Sequence, residues 1–467
     1  MVTNDLNAVS KAGEPSSPYQ GHEADSAGRA LPVPAPSFGE ALRFWLRLGC
    51  ITFGGTAAHI AIMHEELVER RQWIGNARFF HALSHCMVLP GPEAQQLAIY
   101  IGWKLHGKRG GIAAGTLFVL PAMFLLLALS IVYVKFGTLP WIAAIFDGLK
   151  PAVIAMVIVA LLRIAKRALR SVLQYVVAAA AFGAMLFFDG SLLLVLLSAI
   201  ILGVILGWLR PELLRAPDKM TTEAAGEDRC TGPRQEMPGD RSYLKSTIRL
   251  TAVVLLLWCL PLVALCLYGG DIHFWKRLVL FFTKTACVTL GGSYTVIPYV
   301  AQVTVSKLHW VTSLQMTDGF ALAETTPGPL IIVVAFVGFM AGYNHFHGSL
   351  WMATVALLAT TFYTFLPCFL FVFAGAPLVD RTQRKPIIEG VLGLITAVVV
   401  SAILNLAIFL GKVAFFPTGR VEFRGIDAIS IVWAVVSLFL LQRLKLNVMY
   451  LVVLSVGFGV IRHALGA

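Results

Sequence analysis

Apolar residues fill most of this chain in long runs that are separated by short polar or basic turns. Several runs reach the roughly 20 residues that a helix needs to cross about 30 Å of hydrocarbon. The runs occupy residues 112–134, 141–162, 172–188, 191–209, 248–268, 349–377, 387–411 and 428–441. Their number and spacing predict an all-α polytopic membrane protein, built as a helical bundle and not as a barrel of short alternating strands.

Two polar segments lie outside this pattern. The first 38 residues are rich in Pro, Gly and Ser and lack an apolar core, which predicts a disordered cytoplasmic tail. A second segment combines prolines with charges of both signs, which is typical of a solvated linker. The chain is therefore predicted to consist of a tail (1–38), a first unit (39–210), a cytoplasmic linker (211–246) and a second unit (247–467) that begins with an extra helix.

Lysine and arginine cluster in alternate turns, as expected of loops on the cytoplasmic side of an inner membrane. Counting crossings from a cytoplasmic N-terminus gives about 13 transmembrane helices and a C-terminus on the outer side. In this count the irregular segments 39–106 and 276–345 each contribute an even number of crossings, taken as two.

The composition agrees with a membrane protein, since 58% of the residues are hydrophobic, 13% are charged and the mean hydropathy is +0.78. The net charge of +12 lies in short loops, so it favours the positive-inside pattern over nucleic-acid binding. The seven cysteines form no CxxC pair, and we expect neither disulfides nor a bound metal. The sequence has no phosphate-binding loop, which disfavours an ATP-driven pump, and no cofactor is expected.

One stretch of the chain occurs twice, in an ungapped register with an offset of 237 residues. Internal repeats of this kind are typical of secondary transporters, whose substrate sites lie where the repeats meet. Each copy contains a glycine pair, a tryptophan and a Pro-Gly-Pro triplet, at 54–55, 73 and 90–92 in the first copy and at 291–292, 310 and 327–329 in the second.

Corresponding loops of the two copies differ in charge. Residues 104–111 are strongly basic, whereas residues 341–348 contain histidines but no lysine or arginine. These loops are therefore predicted to face opposite sides of the membrane, and the extra helix at 248–268 would invert the second copy. We expect two inverted-topology repeats with broken helices.

The glycine pairs and the triplets break apolar helices, and irregular backbone at membrane depth is tolerated only where it lines a protein-enclosed or watery cavity. A helix that starts at Pro92 or Pro329 presents free N–H groups and the positive end of its dipole. Two such ends that converge from inverted repeats would form an anion site. The backbone candidates for this site are Gly54, Gly55, Gly91, Pro92, Gly291, Gly292, Gly328 and Pro329.

Arg47 and Lys284 occupy equivalent positions before the glycine pairs, inside apolar helices where an isolated charge is costly. Two cations in such positions suit a doubly charged anion. Each feature also has a purely structural explanation: glycine pairs allow close helix packing, Pro-Gly-Pro kinks a helix, and Arg47 could extend to the membrane interface. The joint repetition of all three features favours an anion pathway.

Thr56, Gln95 and Ser293 are secondary candidates, because they lie close to the breaks and their side chains carry hydrogen-bond donors. Glu93 and Glu324 flank the two triplets on opposite sides, and either would carry a coupling proton if buried. For Gln95, an ordinary polar position on a helix surface is the alternative.

At these residues the sequence resembles the chromate ion transporter family in its long, two-domain form. The resemblance covers about residues 38–465 outside the linker, and the second copy departs from the pattern only mildly, at Leu290 and Val311. It is carried by Phe53-Gly54-Gly55, Trp73-Ile74, Pro90-Gly91-Pro92, Gly102 and Gly111, and by Gly291-Gly292, Trp310, Pro327-Gly328-Pro329, Gly338 and Gly348.

The resemblance implies export of chromate across the inner membrane, driven by the membrane potential or the proton gradient, with chromate resistance as the result. The residues themselves indicate a membrane protein with an anion site, and chromate is implied by the resemblance alone. Sulfate is also a tetrahedral dianion of similar size, so a transporter of sulfate or another oxyanion is an alternative. A passive anion channel and a membrane-bound redox enzyme are alternatives from other classes, and a homodimer is left open.

Overall fold

The computed structural model describes residues 36–53, 55–187, 191–209, 212, 240–288, 293–375, 386–416 and 427–466. All the regular secondary structure within these ranges is helical. The first half contains α1 (Phe38–Ile51), α2 (Gly55–His64), α3 (Asn76–Val88), α4 (Glu93–Phe136), α5 (Pro140–Ala168), α6 (Val172–Phe187) and α7 (Leu192–Leu209). The second half contains α8 (Asp240–Tyr268), α9 (Ile272–Val288), α10 (Ser293–Ala301), α11 (Ser313–Thr325), α12 (Val333–His345), α13 (Leu350–Leu370), α14 (Pro386–Phe415), α15 (Ala428–Gln442) and α16 (Val448–Ala464).

Within the described ranges, six helices are long and apolar enough to cross a membrane. They lie in α4, α5, α7, α8, α13 and α14, and four shorter apolar helices accompany them, at Val172–Phe187, Leu330–His345, Ala428–Gln442 and Val448–Ala464. This architecture confirms an all-α polytopic membrane protein. The apolar part of α8, Ser246–Tyr268, lies close to the predicted extra helix, although α8 itself begins earlier, at Asp240, within the predicted linker.

The first two helices form a hairpin that returns to the end at which it started. α2 continues as a π-helical turn, Glu65–Arg70. Beyond this turn the guanidinium of Arg71 lies 3.1 Å from the Glu40 carboxylate in the first turn of α1, and Trp73 packs edge-on against Phe44. With 14 residues, α1 is about 21 Å long. It therefore reaches only part of the way through a bilayer.

A second hairpin also returns to the end at which the first one started. α3 leads inward to the first Pro-Gly-Pro triplet, and the first part of α4, residues 93–105, leads back. At its end the His106 ring nitrogen Nε2 lies 2.8 Å from the Pro36 carbonyl, just before α1. Non-helical backbone angles at His106 and Gly107 then interrupt α4. Residues 108–136 form the long span that follows this kink.

The second half repeats this geometry with the same offset of 237 residues. Its π-helical turn, Gln302–Lys307, matches Glu65–Arg70, and α11 matches α3 at both ends. Trp310 packs against Phe281 with ring centroids 5.8 Å apart, compared with 5.7 Å for Trp73 and Phe44. Here the return to the starting end is fixed by His345, which binds Asp271 at 3.0 Å just before α9. The sequence repeat is thus a repeat of two short hairpins.

The two repeated segments contain more helices than the sequence predicts. Segments 39–106 and 276–345 are each predicted to cross the membrane twice, and each forms four short helices that lead back to the end from which the segment enters. The total of about 13 crossings stays a prediction.

Local sequence signals explain where several of these helices begin. Ser37 caps α1 by accepting a hydrogen bond from the Glu40 N–H at 3.2 Å, and Thr312 caps α11 in a capping box with Gln315. Pro92 precedes α4 with a fixed φ of −71°, as expected of a residue that starts a helix after a sharp turn.

The two halves share one hydrophobic core. α4 packs against α1 in the first half, and α13 packs against α9 in the second. Between the halves, α4 contacts α12 and α13, and α5 contacts α11 and α14. The hairpins of each half are therefore enclosed by long spans of both halves.

Candidate functional site

The break of one repeat touches the triplet of the other. The backbone N–H of Gly328 donates a hydrogen bond to the Thr52 carbonyl at 2.9 Å. Thr52 is fully buried and caps the end of α1 in an extended conformation, and its own hydroxyl donates to the Leu48 carbonyl at 2.8 Å. Thr52, which lies just before the first glycine pair, therefore contacts the second Pro-Gly-Pro triplet inside the protein.

The two triplets share one backbone geometry. Gly91 has a φ of +124° and Gly328 a φ of +125°, a region that side chains with a Cβ rarely adopt. Each glycine also packs against a long span of the opposite half. A methyl group on Gly328 would overlap Ala122 of α4, and one on Gly91 would lie 3.0 Å from the Cys368 sulfur of α13.

The start of α2 meets the second repeat at Tyr294. Gly55 has a φ of +75°, and a Cβ placed there would lie 3.4 Å from the Tyr294 hydroxyl oxygen. That hydroxyl donates a hydrogen bond to the Glu324 carboxylate, which is 5% exposed and lies just before the second triplet. The carboxylate oxygen Oε1 of Glu324 has no hydrogen-bond partner among the described residues. A buried carboxylate thus lies one side chain away from the first glycine break.

The helix that leaves the first triplet begins with polar residues. Glu93 is half-buried in the first turn of α4, where a carboxylate is favoured by the helix dipole. Gln95 and Gln96 are buried; the Gln95 amide donates to the Gly115 carbonyl at 3.4 Å, and the Gln96 amide donates to the Pro90 carbonyl. Within the described part of the chain, neither side-chain oxygen is hydrogen-bonded.

The second triplet leads into an apolar turn. Pro329 precedes the 3-10 turn Leu330–Ile332, whose residues are almost completely buried and which continues into α12. This turn contacts α4, α10 and α11. The two helix starts therefore differ: the first carries glutamate and glutamines, and the second offers only its backbone N–H groups.

Arg47 and Lys284 lie at equivalent positions on α1 and α9, and both side chains are exposed on the protein surface. They face away from the buried side of their helices, which in α1 includes Phe44 and Trp45. Each is followed one turn later by an exposed cysteine, Cys50 or Cys287. The predicted cations are thus matched in position, on the outer face of each hairpin and not within its core.

The remaining predicted residues have varied positions. Thr56 is half-buried in the first turn of α2, Pro92 is buried at the start of α4, and Ser293 begins α10. Gly54, Gly291 and Gly292 lie outside the described residues.

Sequence reasoning missed His59 and Tyr294, which both touch the first glycine break. His59 is fully buried on α2, with its Nδ1 2.9 Å from the Gly55 carbonyl, and its Nε2 has no hydrogen-bond partner among the described residues. The signal for His59 in the sequence was its position as a single histidine within the apolar stretch after Gly55.

A buried ion pair also lies between the two halves, at residues that were not predicted from the sequence. Tyr133, Lys150 and Asp318 join α4, α5 and α11, with the Lys150 Nζ 3.5 Å from Asp318. Asp147 and Lys150 within the apolar run 141–162 were the signal, since intramembrane charges are rare.

Long spans that enclose repeated half-length hairpins, with their backbone breaks in contact, are the architecture of a membrane transport protein. The family described as "Chromate transporter" matches residues 39–207 and 276–460 of the chain, which are its two repeats. The chain belongs to the chromate transporter family.

Two relatives are named as chromate transport proteins. That of Cupriavidus metallidurans is 29% identical over 84% of this chain and 86% of its own length. That of Pseudomonas aeruginosa is 32% identical over 74% of each chain. An uncharacterized transporter of Methanocaldococcus jannaschii is 26% identical over 89% of this chain and 92% of its own. No solved structure matches the chain.

Proposed function

We propose that this protein exports chromate from the cytoplasm across the inner membrane and so confers chromate resistance. It acts as a secondary transporter that exchanges the anion for protons, driven by the proton gradient and the membrane potential. Relatives that are named chromate transport proteins support the substrate. The single observation that carries the mechanism is the hydrogen bond between the Gly328 N–H and the Thr52 carbonyl, which joins the breaks of the two repeats.

The orientation follows from charge and from the number of spans. Basic loops put the N-terminus, the linker and the Lys104–Gly111 loop in the cytoplasm. The span of α4 together with α5, α6, α7 and α8 gives an odd number of crossings between the two sets of hairpins. The first hairpins then enter from the cytoplasm and the second from the periplasm, which makes the repeats inverted and leaves the C-terminus outside.

The anion binds where the hairpins from both sides meet. There the backbone around Gly55, Gly91 and Gly328 and the helix starts after Pro92 and Pro329 offer N–H groups and positive dipole ends. Gly54, Gly291, Gly292, Thr56 and Ser293 complete the proposed site from sequence. Gln95 adds a buried amide whose orientation can reverse to present either a donor or an acceptor.

Arg47 and Lys284 line the two entry paths. Both are exposed on the protein and belong to apolar helices, and a cation that faces lipid at that depth is costly. A water-filled path beside each hairpin removes this cost and brings the cation within range of an approaching dianion. Matched positions in inverted repeats supply one cation on each side of the site.

Glu93 and Glu324 are the carboxylates proposed to carry the coupling proton. Glu324 is supported by its burial and by its hydrogen bond with Tyr294, which lies next to Gly55. Glu93 is supported by its place in the first turn of the helix that leaves the first triplet. Protonation of either group removes a negative charge from the vicinity of the anion.

Radiolabelled chromate flux into everted membrane vesicles tests this function. We expect uptake that exceeds equilibrium when a proton gradient or a potential is imposed, and collapse of uptake when both are dissipated. Added sulfate measures selectivity, since it competes only if the site treats the two dianions alike. Uptake that merely equilibrates under an imposed gradient would replace the exchanger by a channel, and absence of chromate uptake would refute the proposal.

A further inference from the structure

Three ionisable side chains form a buried cluster between the repeats. The Tyr133 hydroxyl of α4 donates to Asp318 Oδ2 at 2.9 Å. The Lys150 ammonium of α5 lies 3.5 Å from Asp318 Oδ1 and donates to Asp147 Oδ1 at 2.8 Å. Asp318 itself belongs to α11, so the cluster joins the second repeat to two long spans of the first.

Burial of these charged groups costs free energy, because it removes them from water. The Asp318 side chain is 5% exposed and that of Lys150 is 11% exposed. A buried ion pair seldom repays the desolvation of its charges, so it is weak evidence of a role in stability. Ionisable groups inside membrane proteins instead mark ion pathways and proton relays.

Lys150 has two carboxylate partners of different exposure. The Asp147 side chain is 56% exposed, whereas that of Asp318 is almost enclosed. If Asp318 becomes neutral, Lys150 therefore keeps a partner, and no lone buried cation is created. Asp318 can change its charge at low cost, which an ordinary buried ion pair cannot do.

The position of Asp318 connects this change to the anion site. α11 runs from Asp318 through Glu324 to the second triplet, where Gly328 binds Thr52. The equivalent position on α3 is His81, so the cluster occurs on one side of the pseudo-symmetric site only. In the proposed orientation, that is the periplasmic side, because Tyr133 lies in the last turn of α4, next to the turn at Gly137.

The charged groups that face Asp318 are few. From α5 they are Lys150 and Asp147, and from α4 the titratable group is Tyr133. The neighbouring turn Leu330–Ile332 is apolar, and α12 brings the uncharged amide of Asn344 to within 3.1 Å of Gln315 on α11. Among the described residues, Asp318 and Asp147 are the two carboxylates of this cluster, and Asp318 is the enclosed one, whose protonation removes the ion pair between α11 and α5.

We propose that Asp318 is a proton-exchanging residue of the transport cycle and that Lys150 is the partner it releases; this rests on the proposed proton-coupled function. Asp318 takes a proton from water on the periplasmic side, and its carboxylate becomes a neutral carboxyl. The Lys150 ammonium then remains paired with Asp147, and the charge–charge tie between α11 and α5 is lost. α11, with the second triplet at its end, is thereby freed to move, and the proton is later released to the cytoplasmic side.

The test uses the full-length protein in proteoliposomes and three measurements. They are chromate accumulation driven by a pH gradient, chromate–chromate exchange at equal pH, and chromate-dependent proton flux reported by a trapped pH dye. Asp318→Asn should retain chromate–chromate exchange. Its gradient-driven chromate accumulation and its proton flux should each fall by at least about tenfold, which lies within the roughly 5–150-fold effect of a typical coupling free energy. Lys150→Met, which leaves Asp318 without its cation and so keeps it protonated, should reproduce this split and serves as the second variant.

Asp427→Asn is the matched control. Asp427 also pairs with a cation, Arg462, at a distance of 2.7 Å, but both residues lie far along the chain from the hairpins. This variant should leave all three measurements unchanged. Unaltered proton flux in Asp318→Asn, or an equal loss of exchange and coupling, would overturn the inference. A wild-type protein that exchanges chromate without moving protons would overturn it too, whereas a wild-type protein without chromate exchange would instead refute the proposed function.

Discussion

The contact between the repeats predicts a specific cost for replacing Gly328 by alanine. Its φ of +125° lies in a region where a residue with a Cβ is strained by about 1–3 kcal/mol. The added methyl would also overlap the Ala122 side chain, and an overpacked methyl in a closed core costs typically about 1–3 kcal/mol. We therefore expect Gly328→Ala to destabilise the native state by roughly 2–6 kcal/mol.

A second substitution separates these two contributions. Ala122→Gly removes the overlapped methyl, but it gives up about 0.8 kcal/mol of apolar burial and roughly a further 0.5–1 kcal/mol because the new glycine lies inside α4. The double variant Ala122→Gly/Gly328→Ala should therefore recover at most about 1–2 kcal/mol, while the backbone strain persists. Because the strain moves the Gly328 N–H away from the Thr52 carbonyl, transport should remain impaired in the double variant although stability returns in part.

Thermal unfolding in detergent and chromate flux in everted vesicles measure the two effects. Gly183→Ala is the matched control, since no atom lies within 4 Å of a Cβ at this helical glycine, and it should behave as wild type. Gly91→Ala, with a φ of +124° in the first triplet, should lose transport in the same way. Wild-type stability and flux in Gly328→Ala would refute the argument that this backbone turn is required.

Four further substitutions test other parts of the structure. Arg47→Ala and Lys284→Ala should each abolish chromate flux without affecting membrane insertion, because each removes the cation from one entry path. Glu324→Gln keeps a hydrogen-bonding partner for Tyr294 but cannot ionise, so the pH dependence of chromate flux should be weaker in this variant than in the wild type. Burial raises the pKa of the Asp427 carboxyl, but hydrogen bonds from Ser430 and Arg462 outweigh burial and hold this pKa below its ordinary value, so Asp427→Asn should lower the Tm at neutral pH.

The sign of the last effect follows from linkage. A carboxyl with a depressed pKa in the folded state stabilises the protein above the ordinary pKa of aspartate and loses this contribution as the pH falls through the depressed value. The gap in Tm between wild type and Asp427→Asn should therefore close in acid. A gap that widens in acid would contradict the assigned ion pair. Normal flux in Arg47→Ala, or a pH dependence of flux in Glu324→Gln that equals that of the wild type, would remove that residue from the proposed pathway.

The sequence predicts the repeat well, because its breaks depend on glycine and proline, whose conformational limits act locally. The register that links Trp73 to Trp310 recurs in the π-helical turns and in the positive φ values of Gly91 and Gly328. The return of each hairpin could not be predicted, since hydropathy marks apolar residues but not the direction in which a short helix leads. It depends on contacts such as that of His106 with Pro36, which join distant residues.

The same distinction between local backbone chemistry and contacts of distant residues holds for the candidate site. Gly91 and Gly328 could be singled out as helix breaks from backbone chemistry. The hydrogen bond between Gly328 and Thr52 could not, because it joins residues that are far apart in the sequence. Tyr294 could not be assigned, because its role depends on its distance from Gly55 in the other repeat. Arg47 and Lys284 were recognised as matched charges, but periodicity alone did not reveal that both lie on exposed helix faces.

The short length of the hairpins has a consequence for the electric field across the membrane. If water follows each hairpin inward from its own side, the insulating layer between the two aqueous funnels is much thinner than the bilayer. The full transmembrane voltage then drops across this thin septum, and one step through it moves the anion down the whole potential. For a dianion that step releases about 4.6 kcal/mol per 100 mV, so chromate flux should be steeply voltage-dependent even though the bound ion travels only a few ångströms.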